Sequence, residues 1–192
     1  MLESRYAEYK AWSKANLKHG SETEIWTRWM CPELPPTRVH PVADRLTLAW
    51  IERGGKAVLL PDVAGTLRTL RERQYRLGLI SNSVSTLDIP AFLKANAIDG
   101  LFEGLFCSSE FGTKKPDPVL FVTAAGGMSV KPVQCAYVGN RLSKDILGCK
   151  RAGFSLGVLV RNPIDAKPEI ETGGIQPDRV LDSFSQLLEI FP

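Results

Sequence analysis

Apolar and polar residues follow two different patterns along this chain, and the pattern changes near residue 60. Before that point, large apolar residues recur at helical spacing, as in Ile25 and Trp29 or in Val42, Leu46 and Trp50. After it, short apolar runs alternate with segments of helical periodicity. We therefore expect a helical part, residues 1–58, followed by a mixed part, residues 59–192.

The mixed part has the element order of an α/β fold. Helices are predicted at 62–73, 86–96, 117–127, 143–152 and 184–190, and strands at 77–80, 104–108, 135–138, 155–160 and 179–181. Short apolar strands that alternate with helices are typical of a Rossmann-like parallel sheet with helices on both faces. The stretch 162–177, rich in Pro, Gly and charge, is predicted to be a surface loop.

All four tryptophans lie in the helical part. Their helical spacing is typical of a core stripe, and the alternative is a wall that faces a substrate.

Composition excludes several classes of partner. The chain is 44% hydrophobic and 23% charged, which is ordinary for a globular protein. The net charge of +3 is too small to indicate a nucleic acid or an anionic membrane as partner. The four cysteines lack zinc-like spacing, and the chain shows no signal-peptide pattern and no membrane-length apolar run, so we expect free thiols in the cytoplasm.

Polar residues follow three of the predicted strands. Ser81 and Asn82 end one strand, Lys115 lies in a Lys-Pro-Asp-Pro sequence, and Asn140 and Asp145 follow the strand that breaks at Gly139. Ligands bind at the carboxyl ends of strands in such sheets. A hydroxyl with backbone N–H groups can hold phosphoryl oxygens, a lysine offsets their charge, and carboxylate and amide oxygens suit Mg²⁺.

Each of these motifs also has a purely structural interpretation. The Ser-Asn pair is compatible with a simple turn, Lys115 with a solvated lysine beside a capped helix, and Asp145 with a helix N-terminal carboxylate. Only their joint occurrence at the carboxyl ends of neighbouring strands favours a phosphate site with a hard metal ion.

In their order and spacing, these motifs resemble the haloacid dehalogenase (HAD) superfamily, in particular its phosphatase-like members with a helical cap. The resemblance covers residues 60–191 and implies that residues 1–58 are a remnant of the cap. It implies catalytic roles for Ser81 and Lys115, phosphate binding by Ser81, Asn82 and Lys115, and Mg²⁺ ligation by Asn140 and Asp145. A small phosphorylated substrate is implied as well.

The chain departs from this family at the nucleophile, because no D-x-D motif ends an early strand. The sequence Asp62-Val63-Ala64 resembles this motif but is rejected as the nucleophile motif. Ala64 stands where the family has its general acid/base, and Asp62 lies only nineteen residues before Ser81. The resemblance then implies a missing central strand between those ending at Ser81 and Gly139. Either these two strands close on each other, or the chain is a truncated, inactive piece that aggregates through open strand edges, which a cooperative melt of a soluble monomer would contradict.

Asn140 is the second departure, since the family has Asp there and an amide adds no negative charge to a metal site. Three functions stay open: a Mg²⁺-dependent phosphatase in a longer form, a non-catalytic phosphate-binding module, and a metal-independent 2-haloacid dehalogenase. A response-regulator receiver is disfavoured, because its acidic pair near the chain start is absent.

Overall fold

The computed structural model describes residues 1–55, 57–161 and 174–192. Its first part is helical, as predicted. The α-helices there are α1 (Leu2–Asn16), α2 (Glu22–Glu24), α3 (Pro36–Val39) and α4 (Ala43–Glu52). The chain continues from α2 as a π-helix, Ile25–Met30, and a 3₁₀ turn, His40–Val42, joins α3 to α4.

The aromatic residues of this part form its core. Tyr9, Trp26 and Met30 are buried, and Trp12, Trp29 and Trp50 pack against them. The indole N–H of Trp26 donates to the Thr47 hydroxyl over 2.8 Å. The tryptophans therefore serve as a core stripe, and the helical part has a hydrophobic centre of its own.

The second part alternates helices and parallel strands. The strands are β1 (Gly78–Ser81), β2 (Gly104–Cys107), β3 (Ala136–Gly139), β4 (Leu156–Val160) and β5 (Arg179–Leu181). The α-helices are α5 (Val63–Glu72), α6 (Asp88–Ala95), α7 (Ser108–Phe111), α8 (Pro118–Gly127), α9 (Leu147–Arg151) and α10 (Leu187–Ile190). Single helical turns occur at Asp99–Leu101, Pro132–Gln134 and Phe184–Gln186, and a π-helix spans Leu142–Ile146. The predicted α/β Rossmann-like class is confirmed.

The strands pair into two separate sheets in the described part of the chain. β1 pairs with β2, and β3, β4 and β5 form the other sheet, with every pairing parallel. The sequence pattern predicts one sheet, so the division is a difference, and β1 and β3 do not close on each other. An apolar cleft lies between them instead.

Helices cover both faces of the sheets. Leu79 and Leu105 pack toward α5 and α6, whereas Ile80 and Phe106 pack toward α8. This alternation is the two-residue period of a strand, and it brings helices against both faces of β1 and β2, although the residues of β1 are at most half-buried.

The two parts of the chain are joined by backbone hydrogen bonds next to the loop that precedes α8. Lys18 and Thr113 form an antiparallel bridge, and the N–H of Lys114 donates to the Leu17 carbonyl over 3.2 Å. The boundary between residues 58 and 59 stays a prediction. Most of the predicted loop, residues 162–173, lies outside the described residues. None of the helices in the described ranges is both long and apolar enough to cross a membrane.

His19 is buried at this junction. Its Nδ1 contacts the Ser108 hydroxyl, its ring stacks on Tyr9, and Ser108 donates to the Ser83 carbonyl over 3.2 Å. Burial, reinforced by the charge of Lys114, lowers the pKa of His19 to about 4. The folded protein thus keeps this imidazole neutral.

This burial predicts a loss of stability on mild acidification. An unfolded histidine with a pKa of about 6.5 gains a proton below that value, whereas folded His19 does not until about pH 4. Unfolding therefore becomes easier as the pH falls from about 6.5 toward 4, by roughly 2 kcal/mol at pH 5. Urea denaturation at pH 7 and pH 5 measures the change.

Two variants separate the contribution of His19 to the pH dependence of stability from that of acidic groups elsewhere in the protein. His19→Gln removes the titrating group and should lose that share of the pH dependence, whereas the exposed His40→Gln should retain it. Equal pH dependence in the wild type and the His19→Gln variant would contradict the assignment.

Candidate functional site

The candidate site is built where β1 and β3 end. Ser81 is the last residue of β1 and Gly139 the last residue of β3. Lys115 approaches both ends from the loop before α8, and Asp145 approaches from the π-helix that follows β3. The polar residues that the sequence places after separate strands therefore converge at one edge.

Lys115 lies at the centre of this group. Its Nζ is 2.7 Å from Asp145 Oδ1, and it donates to the Tyr137 hydroxyl over 2.8 Å and to the Ile80 carbonyl over 3.1 Å. The side chain of Lys115 is 13% exposed and that of Asp145 is 5% exposed. One ammonium thus connects both strands while keeping a small opening toward solvent.

The surroundings of Lys115 keep it charged. Burial acts against the ammonium, but Tyr137 and Asp145 outweigh burial, and the pKa of Lys115 is raised above its usual value. Burial and Asp145 also raise the pKa of the Tyr137 hydroxyl, although Lys115 opposes them. At neutral pH the site holds a positive ammonium beside a neutral phenol.

Asp145 is held by the loop after β3. Its Oδ2 accepts backbone hydrogen bonds from Asn140 over 3.2 Å and from Arg141 over 2.9 Å. A Cβ at Gly139 would lie 2.5 Å from Cβ and Cγ of Asp145. Glycine at the end of β3 is therefore required for the Asp145 carboxylate to fold back against the strand.

Asn82 braces the backbone of Lys115. Its Nδ2 donates to the Lys115 carbonyl over 3.0 Å, and its Oδ1 accepts from the Lys115 N–H over 2.8 Å. The peptide bond between Lys115 and Pro116 is cis. The Asn82 amide is thus occupied by positioning Lys115, a role that the sequence analysis did not predict.

Ser81 is half-buried at the edge of the sheet. Among the residues that the structure describes, none donates a hydrogen bond to its hydroxyl or accepts one from it. Lys114, by contrast, points to α1, where its Nζ donates to the Ser13 hydroxyl over 2.9 Å. Of the two adjacent lysines, Lys115 is the one at the strand ends.

Tyr137 is a site residue that sequence reasoning missed. The sequence pattern predicts only that Tyr137 is part of an apolar strand. In the structure its ring packs against Phe121, while its hydroxyl lies 3.4 Å from both the Ile80 carbonyl and Asp145 Oδ1. The available signal was a tyrosine two residues before a strand-ending glycine, since a buried Tyr hydroxyl usually finds a polar partner.

The donor set does not by itself fit Mg²⁺. Both Asp145 oxygens already accept hydrogen bonds or pair with Lys115, and Asn140 offers only a neutral amide. The described residues contain no group of three or more His, Cys, Asp or Glu side chains that could hold a metal. Mg²⁺ wants several oxygen ligands in near-octahedral geometry, and this cluster presents a lysine ammonium instead.

Comparison with known proteins places the chain in a family. The family model of the haloacid dehalogenase-like hydrolases matches residues 12–153. A glyceraldehyde 3-phosphate phosphatase from Methanopyrus kandleri is 34% identical over 68% of this chain and 55% of its own length. A phosphoglycolate phosphatase from Pasteurella multocida is 32% identical over 70% of this chain and 58% of its own length. The chain thus spans little more than half the length of these relatives.

A solved structure gives the same fold. The crystal structure of a predicted phosphoglycolate phosphatase from Haemophilus somnus matches with a TM-score of 0.65 and 23% identity, over 92% of this chain and 79% of that one. At this identity the similarity concerns the fold alone.

Proposed function

Because the chain belongs to the haloacid dehalogenase-like hydrolase family, we propose that its site binds the phosphoryl group of a small phosphorylated metabolite, as part of a phosphoester hydrolase. The main support for this proposal is the buried, charged Lys115, which contacts residues at the ends of both β1 and β3. A fixed cation in a site of low dielectric attracts a phosphate dianion far more strongly than a solvated one does.

Each site residue has a distinct part in this proposal. Lys115 neutralises phosphoryl charge, and Ser81 donates its free hydroxyl to a phosphoryl oxygen. The residues that position Lys115 are Asn82, through its backbone, and Asp145 and Tyr137, through its ammonium. The three N–H groups of the Lys115 ammonium are engaged by Asp145, Tyr137 and Ile80, so phosphate binding requires the ammonium to exchange one of these contacts for a phosphoryl oxygen.

The described residues do not supply a nucleophile for hydrolysis. Covalent phosphoryl transfer in such a site needs a carboxylate free to attack phosphorus. Asp145 is occupied by Lys115 and two backbone N–H groups, and Asp62 lies at the start of α5, where it accepts from the Ser185 N–H over 3.0 Å. We therefore expect negligible turnover from the 192-residue chain.

Two assays test the proposal. Calorimetry should show saturable binding of inorganic phosphate, and phosphoglycolate or glyceraldehyde 3-phosphate should compete for the same site. Phosphate release from these esters should not exceed that of a Lys115→Met variant. Absence of phosphate binding would overturn the proposed site, whereas turnover above that of the variant would overturn the expected inactivity.

A second function, phosphate binding without hydrolysis, is favoured by the neutral Asn140 and the fully engaged Asp145. Saturable binding with no turnover supports it for this chain. A metal-independent 2-haloacid dehalogenase would release halide from a 2-haloacid in the presence of EDTA, and this assay distinguishes it from the other two functions.

The weak donor set around Asn140 and Asp145 predicts weak binding of Mg²⁺. Asn140→Asp adds a carboxylate close to Asp145 and should tighten Mg²⁺ binding by roughly tenfold or more, because affinity for hard cations rises with ligand charge. Titration calorimetry with MgCl₂ measures this change. Asn16→Asp adds the same charge at the end of α1 and serves as the matched control. Equal Mg²⁺ affinity in both variants would contradict a metal-binding position at residue 140.

A further inference from the structure

A cluster of buried polar side chains lies next to the loop that carries Asn82. His19, Ser83, Ser85 and Ser108 are all buried, and Ser85 and Ser108 are fully so. They come from three segments, which are the residues after α1, the loop after β1 and the start of α7 directly after β2. Buried hydroxyl groups are costly unless they are hydrogen-bonded, so their partners show what this cluster holds in place.

The hydrogen bonds through Ser108 run in one direction. Its hydroxyl donates to the Ser83 carbonyl over 3.2 Å, and a carbonyl oxygen can only accept. This uses the single hydroxyl proton, so Nδ1 of His19, which contacts the same hydroxyl oxygen, has to be a donor. Because the lowered pKa of His19 keeps its ring neutral at pH 7, the one ring proton lies on Nδ1. A relay of hydrogen bonds therefore runs from His19 through Ser108 to Ser83.

His19 is itself fixed at the junction of the two parts of the chain. Its backbone N–H donates to the Gly112 carbonyl over 3.1 Å, and its ring stacks on Tyr9 with the ring centroids 6.1 Å apart. The Tyr9 hydroxyl in turn accepts from the Gly20 N–H over 3.2 Å. The donor end of the relay is thus held on both sides and has little freedom to turn away from Ser108.

The receiving end of the relay is the loop after β1. The Ser83 hydroxyl donates to Asp88 Oδ1 over 2.7 Å, and Asp88 is the first residue of α6. The side chain of Ser83 therefore anchors the loop to α6, while its carbonyl anchors the loop to Ser108. Asn82 directly precedes this doubly anchored residue, and its side-chain amide makes two hydrogen bonds to the Lys115 backbone.

We propose that Ser108 and His19 are positioning residues for the phosphate site, because they fix the Ser83 carbonyl and thereby the orientation of Asn82 toward Lys115. Both act through the backbone of the loop after β1 rather than by contact with a phosphate. A shift of this loop would move the Lys115 backbone and, with it, the ammonium. This role rests on the proposed phosphate binding, whereas the hold on the Lys115 backbone exists in the free protein and is measurable without phosphate.

Ser108→Ala removes the middle of the relay. It should weaken the binding of inorganic phosphate about three- to tenfold, as expected for the loss of one neutral hydrogen bond. The matched control is Ser109→Ala, since Ser109 is also buried and its hydroxyl has no hydrogen-bond partner within residues 1–55, 57–161 and 174–192. In calorimetric titrations at pH 7 we expect the control to bind phosphate as the wild type does, and equal affinities in the two variants would overturn the role of Ser108.

His19 offers a second pair of variants. His19→Leu removes the Nδ1 donor and should weaken phosphate binding to an extent similar to that of Ser108→Ala. His19→Asn carries an amide N–H at the position that corresponds to Nδ1, so it should restore most of the affinity. If Ser108→Ala fails to fold, this pair decides. Equal phosphate affinity in the two His19 variants would overturn the relay.

Amide hydrogen exchange in the free protein is the second readout. The Lys115 N–H donates to Asn82 Oδ1, so its exchange should be accelerated at least threefold more than that of the β4 amides in both Ser108→Ala and His19→Leu. Equal acceleration at Lys115 and in β4 would mean that the variants only destabilise the fold, and it would overturn the positioning role. The ¹⁵N shifts of the wild-type His19 ring should show a protonated Nδ1, and a proton on Nε2 instead would contradict the direction of the relay.

The two readouts separate a failure of this proposal from a failure of the phosphate site. A wild type that binds no phosphate would overturn the proposed site, and exchange at the Lys115 N–H would then decide the positioning role alone. Phosphate binding by the wild type, together with unchanged Lys115 exchange in both variants, would overturn the positioning role and leave the phosphate site in place.

Discussion

Replacing Lys115 by Met is expected to lower the free energy of unfolding by about 3–5 kcal/mol, the cost of leaving a buried charge without its partner. The charge left without a partner is that of the Asp145 carboxylate, whose side chain is only 5% exposed. The double variant Lys115→Met/Asp145→Asn should recover most of this loss, because it removes both charges and retains an oxygen for the Asn140 and Arg141 N–H groups. Urea denaturation of the wild type, the two single variants and the double variant measures the coupling.

The matched control for this cycle is the ion pair of Lys150 and Asp178. Those side chains are 28% and 31% exposed, and pairs of this kind contribute about 1 kcal/mol or less. Lys150→Met should therefore have a small effect. If the losses in the two single variants at Lys115 and Asp145 simply add in the double variant, the described ion pair does not stabilise the fold.

Phosphate affinity should fall roughly 10- to 100-fold in the Lys115→Met variant, since a hydrogen bond to a charged group contributes about 1.5–3 kcal/mol. Lys114→Met is the matched control, because it removes the same charge at the adjacent residue, whose side chain points away from the site and donates to Ser13 in α1. Calorimetric titration of both folded variants with inorganic phosphate measures the difference. A similar loss in the two variants would mean that the effect is one of general positive charge, and the assignment of Lys115 would be wrong.

Local patterns in the sequence predicted the elements of the second part closely. The strand predicted at 77–80 is observed at Gly78–Ser81, and the helix predicted at 117–127 at Pro118–Gly127. The reason is physical, since periodicity, proline at helix starts and glycine at strand ends are all local signals. The turn at 142–146 was predicted as ordinary helix, and its wider π-helical winding has no such local signal.

Long-range relations were less accessible. That Ser81, Lys115 and Asp145 would share an edge could be predicted, because parallel strands carry their carboxyl ends to one side. That β1 and β3 stay apart, with an apolar cleft between them, depends on which sheet edges meet. The alternation of strands and helices carries no information on that point.

Side-chain partners were the least predictable feature. Phosphate binding by Asn82 stays a prediction, and the structure adds that its side-chain amide binds the Lys115 backbone, a contact that depends on the loop before α8 reaching the end of β1. Tyr137 lies within an apolar run, so the sequence pattern does not indicate a role in the site. That role follows from the orientation of its hydroxyl toward Lys115 and Asp145. Such contacts join residues far apart in the chain, so no sequence spacing encodes them.

The most direct test of the phosphate site is a map of backbone amide chemical shifts as the ¹⁵N-labelled chain is titrated with inorganic phosphate. We expect saturable shifts concentrated at Ser81, Asn82, Lys115 and Asn140, and their loss in the Lys115→Met variant. Shifts centred elsewhere, or none at phosphate concentrations that saturate the calorimetric signal, would contradict it.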